Sequence, residues 1–311
     1  MKLEGIHHIT AITGDAPRNV DFYVRLLGLR LVKKSVNQDD PTVYHLFYAD
    51  EHGSAGADLT FFEYPNARAG RAGAGMVHRI VHRVGSPESL DFWEDRFGAE
   101  GVAAARVDGG LRFADFEGLE HELRVVDVPD APLPARSTEV PAEHALLGFH
   151  AVHAAVADPR KSEQHLLETL NFDQVGPHTF EARGASRGGS IVFEPARGRG
   201  FGGAGTVHHI AWASPMDEHE AWRERIVAAG LQVTPVIDRF YFRSVYSREP
   251  GGILFEIATI GPGFATDEPL SELGESLALP PEFEHLRAQV EPLLTPLPDV
   301  RQWRPSRAQA S

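Results

Sequence analysis

Cysteine is absent from the 311-residue sequence. The protein therefore has no disulfide bond, no thiolate zinc site and no cysteine nucleophile. Because the thiolate ligands that soft metals prefer are missing, any metal site has to be built from imidazole and carboxylate groups. The sixteen histidines supply enough imidazoles for such a site.

Long apolar runs are missing as well. No segment approaches the roughly 20 apolar residues that span a bilayer. The N-terminal residues Met1–Gly5 lead directly into a strand-like run and do not form an apolar signal segment. We therefore expect a cytoplasmic protein with no membrane partner.

Basic residues are few relative to acidic ones. The chain has 30 Lys and Arg against 44 Asp and Glu, for a formal net charge of -14. Nucleic acids and anionic membranes both require a basic face on their partner, so neither is expected here. The content of 42% hydrophobic and 24% charged residues is ordinary for a soluble globular protein. A small molecule is the expected partner.

Four segments of the chain share one layout. Each starts with a short apolar strand that contains histidine, continues with an Asp or Ser next to a Pro that predicts the start of a helix, and ends with several strand-like runs. This layout predicts an α+β protein of four βαβββ modules. The four opening strands are Gly5–Ile9, Met76–Ile80, Gly148–Val152 and Thr206–Ile210.

The predicted helix ends follow the same pattern. Asp or Ser caps free N–H groups, and Pro suits the first helical turn. Gly and Asn tolerate the left-handed conformation that ends many helices. The predicted caps are Asp15, Ser86, Asp158 and Ser214, and the predicted stops are Gly28, Gly98, Asn171 and Gly230.

A proline-rich stretch divides the chain into two halves. Regular helix or sheet interior is incompatible with the prolines of residues 129–146, which we interpret as a linker. The predicted domains are then residues 1–128 with modules 1 and 2, and residues 147–260 with modules 3 and 4. Residues 261–311 form a C-terminal extension, which packs over a barrel mouth or over a neighbouring subunit.

Comparison of the four modules with one another points to a metal site. Aligned opening strands place His8, Arg79, Ala151 and His209 in one column, and aligned last strands place Glu63, Glu122, Glu194 and Glu256 in another. Only modules 1 and 4 offer an imidazole in the first column. Because metal ligands must converge from different strands, we expect modules 1 and 4 to form the metal-bearing half and modules 2 and 3 a scaffold half.

Two imidazoles and one carboxylate form a ligand set that suits Fe(II) with open positions for substrate and oxygen. Zinc hydrolases use the same ligands. The H-E-x-x-H helix motif of those hydrolases is absent from the sequence, which favours iron or manganese. Ligand composition alone leaves the choice of metal nearly even.

The motifs resemble those of the vicinal oxygen chelate superfamily, which contains glyoxalases, bleomycin-resistance proteins and extradiol dioxygenases. Within it the chain is most similar to ring-cleaving dioxygenases that open hydroquinones. The matching stretches are GIHHITAIT at residues 5–13, LGLRLVKK at 27–34, YHLFYADEHGSAGAD at 44–58, TVHHIAW at 206–212 and PGGILFE at 250–256.

The resemblance implies Fe(II), or alternatively Mn(II), held by His8, His209 and Glu256. It implies O2 and a small aromatic substrate as partners and leaves a homo-oligomer open. The family's further active-site groups fall on two sets of residues. Catalytic roles are implied for Tyr246, Arg239 and His208, and substrate-binding roles for His7 and Thr10.

Two observations qualify these roles. His7 and His208 alternate with the ligands along a regular strand and should face away from the cavity unless a bulge re-aims them. Glu63 stands where glyoxalase-like members carry a fourth metal ligand. A metal-dependent isomerase or lyase using Glu63 is therefore the second candidate, and a metal-free protein that sequesters small molecules is the third.

Overall fold

Two eight-stranded sheets form the framework. The computed structural model describes residues 1–305. The first sheet has the strand order β14-β15-β16-β13-β1-β4-β3-β2, and the second has the order β10-β11-β12-β9-β5-β8-β7-β6. Strands from modules 1 and 4 thus share one sheet, and strands from modules 2 and 3 share the other. The predicted α+β fold of four paired βαβββ modules is confirmed.

Each module contributes four strands. Modules 1 and 4 contain β1 (Ile6–Thr13), β2 (Arg30–Asn37), β3 (Asp40–Ala49), β4 (Asp58–Glu63), β13 (Thr206–Ser214), β14 (Ile237–Asp238), β15 (Phe242–Arg248) and β16 (Leu254–Pro262). Modules 2 and 3 contain β5 (Met76–Val84), β6 (Ala104–Val107), β7 (Gly110–Ala114), β8 (Glu120–Val125), β9 (Phe149–Val156), β10 (Asp173–Gly176), β11 (Thr179–Arg183) and β12 (Gly188–Pro195).

One helix follows the first strand of each module. The helix of module 1 continues into a π-helical turn over Asp21–Leu26. In module 2, the residues Leu90, Trp93 and Phe97 lie on one helical face and are buried, as the i, i+3, i+7 spacing requires. The helices are α1 (Ala16–Val20), α2 (Pro87–Ala99), α3 (Pro159–Glu168), α4 (His219–Ala228) and, in the extension, α5 (Arg287–Val290).

Most predicted helix boundaries agree with the structure. The side chains of Asp15, Ser86 and Asp158 cap their helices as expected. Ser214 was wrongly predicted as a cap, because its hydroxyl donates to the Pro215 carbonyl and α4 begins only at His219.

One predicted helix stop was also wrong. Helix α2 continues through Gly98 to Ala99, and the left-handed residue is Gly101, at a φ of 71°. The other predicted stops, Gly28, Asn171 and Gly230, all have positive φ.

In each sheet the two modules are related by an approximate twofold axis, which passes between their antiparallel opening strands. In the first sheet β1 runs antiparallel to β13, with Thr10 opposite His209 and His8 opposite Ala211. Each histidine therefore lies opposite the residue two positions beyond the other histidine. Strands β5 and β9 repeat this register around Arg79 and Ala151 in the second sheet. The alignment of the opening strands is correct.

The alignment of the acidic residues is only partly correct. Glu256 on β16 pairs with Ala211, two residues beyond His209. The residue that pairs two positions beyond His8 is Thr60, not Glu63. By the same criterion β8 contributes Glu122, whereas β12 contributes Val192 in place of Glu194. The structurally equivalent residues of the four last strands are Thr60, Glu122, Val192 and Glu256. Equivalence is set by the parallel pairing of each last strand with its opening strand, and the distance of a residue from the end of its strand does not determine it.

The C-terminal extension packs against module 1 of its own chain. Lys33 on β2 has no exposed surface, and its Nζ lies 2.7 Å from Asp267 Oδ1 and also contacts Glu268. The hydroxyl of Tyr241 donates to the other oxygen of Asp267 at 2.8 Å. The extension therefore supports the strand edge and the loop before β15. Its last residues, 306–311, lie outside the described part of the chain, and the domain division at residues 129–146 stays a prediction.

A chain of buried polar groups crosses the interface between modules 1 and 2. His82 Nε2 lies 3.1 Å from His121 Nδ1, and His121 Nε2 lies 3.0 Å from the Tyr23 hydroxyl. The Tyr23 hydroxyl donates to Asp115 at 2.9 Å. Burial lowers the pKa of His82 from 6.5 to about 3. This histidine is therefore neutral in the folded protein near neutral pH.

We predict that Lys33→Ala lowers the free energy of unfolding by about 2 kcal/mol, since it leaves two carboxylates without their buried cation. This is below the roughly 3–5 kcal/mol of fully buried pairs because both carboxylates are partly exposed. Urea denaturation measures the change. The matched control is Lys2→Ala, which breaks the exposed ion pair with Asp173 and should cost at most about 1 kcal/mol. Equal losses in both variants would contradict the role assigned to Lys33.

His82 also predicts a pH dependence of stability. Below pH 6.5 the unfolded chain binds a proton at His82 that the folded protein does not take up until the pH approaches about 3. Stability should therefore fall as the pH drops through this window. In His82→Gln the free energy of unfolding should fall less steeply with decreasing pH than in the wild-type protein. The two slopes should differ by up to about 1.4 kcal/mol per pH unit. Replacement of the exposed His52 by Gln serves as the control and should leave the slope of the wild-type protein unchanged.

Candidate metal centre

Three buried side chains converge where β1, β13 and β16 lie side by side. Glu256 Oε2 lies 2.9 Å from His209 Nε2 and 3.2 Å from His8 Nε2. The two imidazole nitrogens are 3.4 Å apart. Neighbouring ligand atoms bonded at about 2.1 Å stand roughly 3.0 Å apart around an octahedral metal and roughly 3.4 Å apart around a tetrahedral one. The three atoms therefore have the spacing of ligands on one face of a metal ion.

The environment of the Glu256 carboxylate suits binding of a cation. Its Oε1 accepts a hydrogen bond from Ser244, whereas its buried Oε2 has no hydrogen-bond partner. Burial alone raises the pKa of the Glu256 carboxyl, but the imidazoles of His8 and His209 outweigh that effect and hold its pKa well below its usual value. A buried carboxylate without a cation is costly, so the unpartnered oxygen fits a metal ligand.

His7 fixes the ring orientation of His8. His7 Nε2 lies 3.1 Å from the Thr259 carbonyl, which only accepts, so this nitrogen carries the proton. Burial lowers the pKa of His7 to about 3, and its ring is neutral. His7 Nδ1 is then an acceptor for His8 Nδ1–H at 2.9 Å, which leaves Nε2, facing Glu256, as the nitrogen of His8 that could bind metal.

His208 holds the corresponding place beside His209, with the two Nδ1 atoms 2.8 Å apart. The register of β1 against β13 shifts between Ile6 and His8 and again between Thr10 and Ala11. These irregularities accompany the edge-on arrangement of both histidine pairs. His208 is exposed and is not among the residues that line the space over the three convergent atoms.

A pocket opens over the three convergent atoms. Its walls combine aromatic rings with polar groups contributed by the end of β2 and by the loop before β15. A flat aromatic ring with polar substituents suits such a lining. The wall residues include Asn37, Asp39, His45, Phe47, Phe62, Arg239, Tyr241, Phe242 and Tyr246.

Arg239 and Tyr246 are brought together in this pocket. Arg239 Nε donates to the Tyr246 hydroxyl at 3.3 Å, and Arg239 Nη2 lies 3.1 Å from Asp39 Oδ2. Burial raises the pKa of Tyr246 above its ordinary value, so its hydroxyl stays protonated near neutral pH. Because the Tyr246 oxygen accepts from Arg239, its own hydrogen remains available to a molecule in the pocket.

Two residues with predicted substrate-binding roles lie behind the pocket wall. His7 is buried against Thr259, and Thr10 accepts a hydrogen bond from the Thr60 hydroxyl at 2.8 Å. Neither residue lines the pocket. Their contacts suit the positioning of other side chains.

Glu63 lies away from the centre. Its Oε1 accepts hydrogen bonds from the Ala16 backbone N–H at 3.3 Å and from the Thr295 hydroxyl at 2.8 Å. Of the residues that the structure describes, His8, His209 and Glu256 are the only group of three or more His, Asp or Glu side chains close enough to share an ion. Glu63 is not placed as a fourth ligand, and it supports the start of α1 instead.

Sequence reasoning missed several residues of the site. Ser244 supports Glu256, Asp39 holds Arg239, and His45 forms part of the pocket wall. One signal was available for His45, because it is the only polar residue in the otherwise apolar run Val43–Phe47. Asp39 lies at a hairpin tip, and its contact across 200 residues has no local signature.

In modules 2 and 3 an ion-pair cluster lies where modules 1 and 4 have the candidate metal centre. Arg79 occupies the position that His209 holds in the first sheet, and Glu122 occupies that of Glu256. Arg79 Nε lies 3.4 Å from Glu122 Oε2, and Arg112 Nε lies 2.8 Å from the same oxygen. The guanidinium groups supply the positive charge that the carboxylate needs. This agrees with the predicted scaffold role of modules 2 and 3.

The fold and the convergent ligands define a class. A family model described as "Glyoxalase/Bleomycin resistance protein/Dioxygenase superfamily" matches residues 5–110 and 83–257. These matches cover most of the chain. The protein belongs to this superfamily, as the motif resemblance predicted.

Several relatives refine the comparison. The Bacillus subtilis protein named "Putative ring-cleaving dioxygenase MhqA" is 38% identical over 96% of this chain and all of its own length. The "Chlorohydroquinone/hydroquinone 1,2-dioxygenase" of Sphingobium indicum is 31% identical over 93% of this chain and 95% of its own.

Solved structures agree with the fold. The crystal structure of a "putative dioxygenase" from Bacillus subtilis matches 96% of this chain and 98% of its own at a TM-score of 0.88 and 38% identity. Glyoxalase I from Zea mays, at a TM-score of 0.58 and 14% identity over 82% of this chain and 92% of its own, shares the fold alone. None of the helices within residues 1–305 is long and apolar enough to cross a membrane.

We predict that Glu256→Gln weakens divalent metal binding by more than about 100-fold. Mutation of a residue that only hydrogen-bonds to a metal ligand already lowers metal affinity by about 10- to 100-fold, and loss of a ligand should cost more. Calorimetric titration with Fe(II) under anaerobic conditions measures the affinity. Glu63→Gln is the matched control and should bind metal as the wild-type protein does. Loss of binding in Glu63→Gln, or its retention in Glu256→Gln, would contradict this assignment of the ligands.

Proposed function

We propose that the protein is an Fe(II)-dependent dioxygenase that cleaves a dihydroxylated aromatic ring, most simply a hydroquinone, with O2. The observation that carries the proposal is the three-ligand set of His8, His209 and Glu256 at the base of an aromatic pocket. Three ligands from one face leave positions for a substrate oxygen and for O2. The names of the relatives in Bacillus subtilis and Sphingobium indicum support the same reaction class.

His8, His209 and Glu256 would hold the metal. Bound there, Fe(II) supplies a Lewis acid for a phenolic oxygen and a redox centre for O2, and Mn(II) is the alternative metal with the same ligands. His7 and His208 orient the two ligand imidazoles through their Nδ1 atoms. Ser244 orients the carboxylate of Glu256.

Tyr246 and Arg239 are proposed to handle the substrate. The Tyr246 hydroxyl donates its hydrogen to a substrate or oxygen atom in the pocket, and Arg239 stabilises negative charge on the Tyr246 oxygen. Asp39 keeps Arg239 in this position from the opposite edge of the sheet. Phe47, Phe62 and Phe242 provide the apolar surface for the ring.

The isomerase alternative loses its motivating feature. It required Glu63 as a fourth ligand, and the Glu63 carboxylate instead binds Ala16 and Thr295. A metal-free binding protein would not require three potential ligand atoms within 4.8 Å of one another in its interior. The dioxygenase is therefore the function that we propose.

Anaerobically purified protein loaded with Fe(II) should consume oxygen when a hydroquinone is added, in proportion to the substrate that disappears. An oxygen electrode and optical detection of the ring measure the two quantities. The Glu256→Gln variant should consume none. Conversion of substrate under strict anaerobiosis, or no oxygen uptake with any hydroquinone or catechol, would exclude the dioxygenase.

Replacement of Tyr246 by Phe should lower kcat by about 100-fold or more, because it removes a hydrogen-bond donor that acts on the reacting molecule. Metal content should stay at the wild-type level, since the lost hydroxyl contacts Arg239 and phenylalanine keeps the ring that packs against His209. Steady-state kinetics and metal analysis give the two readouts. An unchanged kcat would remove Tyr246 from the reaction.

A further inference from the structure

His45 forms part of the pocket wall without a role in the function described above. It lies on β3, and its ring centroid is 3.9 Å from that of Phe47 and 4.4 Å from that of Phe62. All three rings line the pocket over the metal centre. The two phenylalanines restrict the imidazole to one plane, so its two nitrogens have defined directions.

The hydrogen bonds behind the wall determine which nitrogen of His45 carries the proton. The Thr60 hydroxyl donates its single hydrogen to Thr10 Oγ1 at 2.8 Å. Towards His45 Nε2, at 2.9 Å, the Thr60 oxygen can therefore only accept. Nε2 carries the proton, and Nδ1 of a neutral His45 has a free lone pair.

The free nitrogen of His45 is accessible from the pocket. Among the described residues, His45 Nδ1 has no hydrogen-bond partner, and it is not among the fully buried polar atoms. Burial of the ring, together with the nearby His8, lowers the pKa of His45 well below its ordinary value, which keeps the imidazole neutral. The wall therefore presents a free acceptor nitrogen between two phenylalanine rings.

The internal twofold of the first sheet explains how this arrangement arises. Thr60 occupies the position of Glu256, and the strand pairing places His45 at the position of Ser244. Ser244 contacts Glu256 just as His45 contacts Thr60. The module 4 pair ends in a carboxylate oxygen directed at the metal centre. The module 1 pair ends in an imidazole acceptor within the pocket.

We propose that His45 Nδ1 binds the substrate by accepting a hydrogen bond from the ring hydroxyl that is not bound to the metal. This inference rests on the proposed function and specifies its substrate class. The preferred substrate carries a second hydroxyl with its hydrogen, so a hydroquinone makes this hydrogen bond and its mono-methyl ether does not.

Two substitutions separate this role from a structural one. His45→Gln keeps a polar group at the Nε2 position, where it contacts Thr60, but lacks an acceptor at Nδ1. His45→Asn keeps an acceptor at the Nδ1 position and loses the Thr60 contact. The probes are hydroquinone and 4-methoxyphenol. In 4-methoxyphenol a methyl group replaces the hydrogen of the second hydroxyl. Binding is measured calorimetrically with Fe(II)-loaded protein under anaerobic conditions.

In the wild-type protein hydroquinone should bind about tenfold more tightly than 4-methoxyphenol, the value of roughly one hydrogen bond. His45→Asn should keep most of this preference, and His45→Gln should abolish it. The preference is the ratio of the two dissociation constants measured for the same variant. A general loss of stability would weaken binding of both probes and would leave this ratio unchanged.

Equal preference in the wild type and in His45→Gln, or loss only in His45→Asn, would overturn the role of Nδ1 while leaving the dioxygenase intact. A wild-type protein that neither binds hydroquinone nor consumes oxygen with it would overturn both proposals. Oxygen uptake by the wild type, measured in parallel, separates these two cases.

Discussion

The antiparallel pairing of β1 with β13 is the contact on which the candidate metal centre depends. It brings together two segments that lie 201 residues apart in the chain and sets His8 and His209 face to face. Parallel pairing of β13 with β16 then adds Glu256. Because all three side chains stand on sheet strands, the backbone ladder holds their relative positions and loops do not have to do so.

The same arrangement of strands satisfies a buried carboxylate in two different ways. In the first sheet two imidazoles face Glu256 and leave one of its oxygens without a hydrogen-bond partner. In the second sheet Arg79 and neighbouring guanidinium groups neutralise Glu122. Guanidinium groups surround Glu122, whereas no guanidinium or ammonium group contacts the Glu256 carboxylate among the described residues. Repetition of one module thus produced a scaffold half and a working half.

Support for the pocket comes from distant parts of the chain. The C-terminal extension holds Lys33 and Tyr241 through Asp267, and the β2–β3 hairpin holds Arg239 through Asp39. Behind the wall, Thr10 and Thr60 set the hydrogen-bond direction of His45. Together these hydrogen bonds and ion pairs connect the edges of the sheet across the pocket.

The sequence by itself determined the four modules, the pairing of module 1 with module 4, and the three convergent residues, because strand periodicity and internal repetition are local and can be compared directly. Only the tertiary structure decided the register of the last strands. It makes Thr60, rather than Glu63, the residue of module 1 that is equivalent to Glu256 of module 4. It also decided the contacts of His45, Asp39 and the extension. These depend on which side chains meet across the pocket, and that geometry follows from sheet curvature and packing, which leave no periodic mark along the chain.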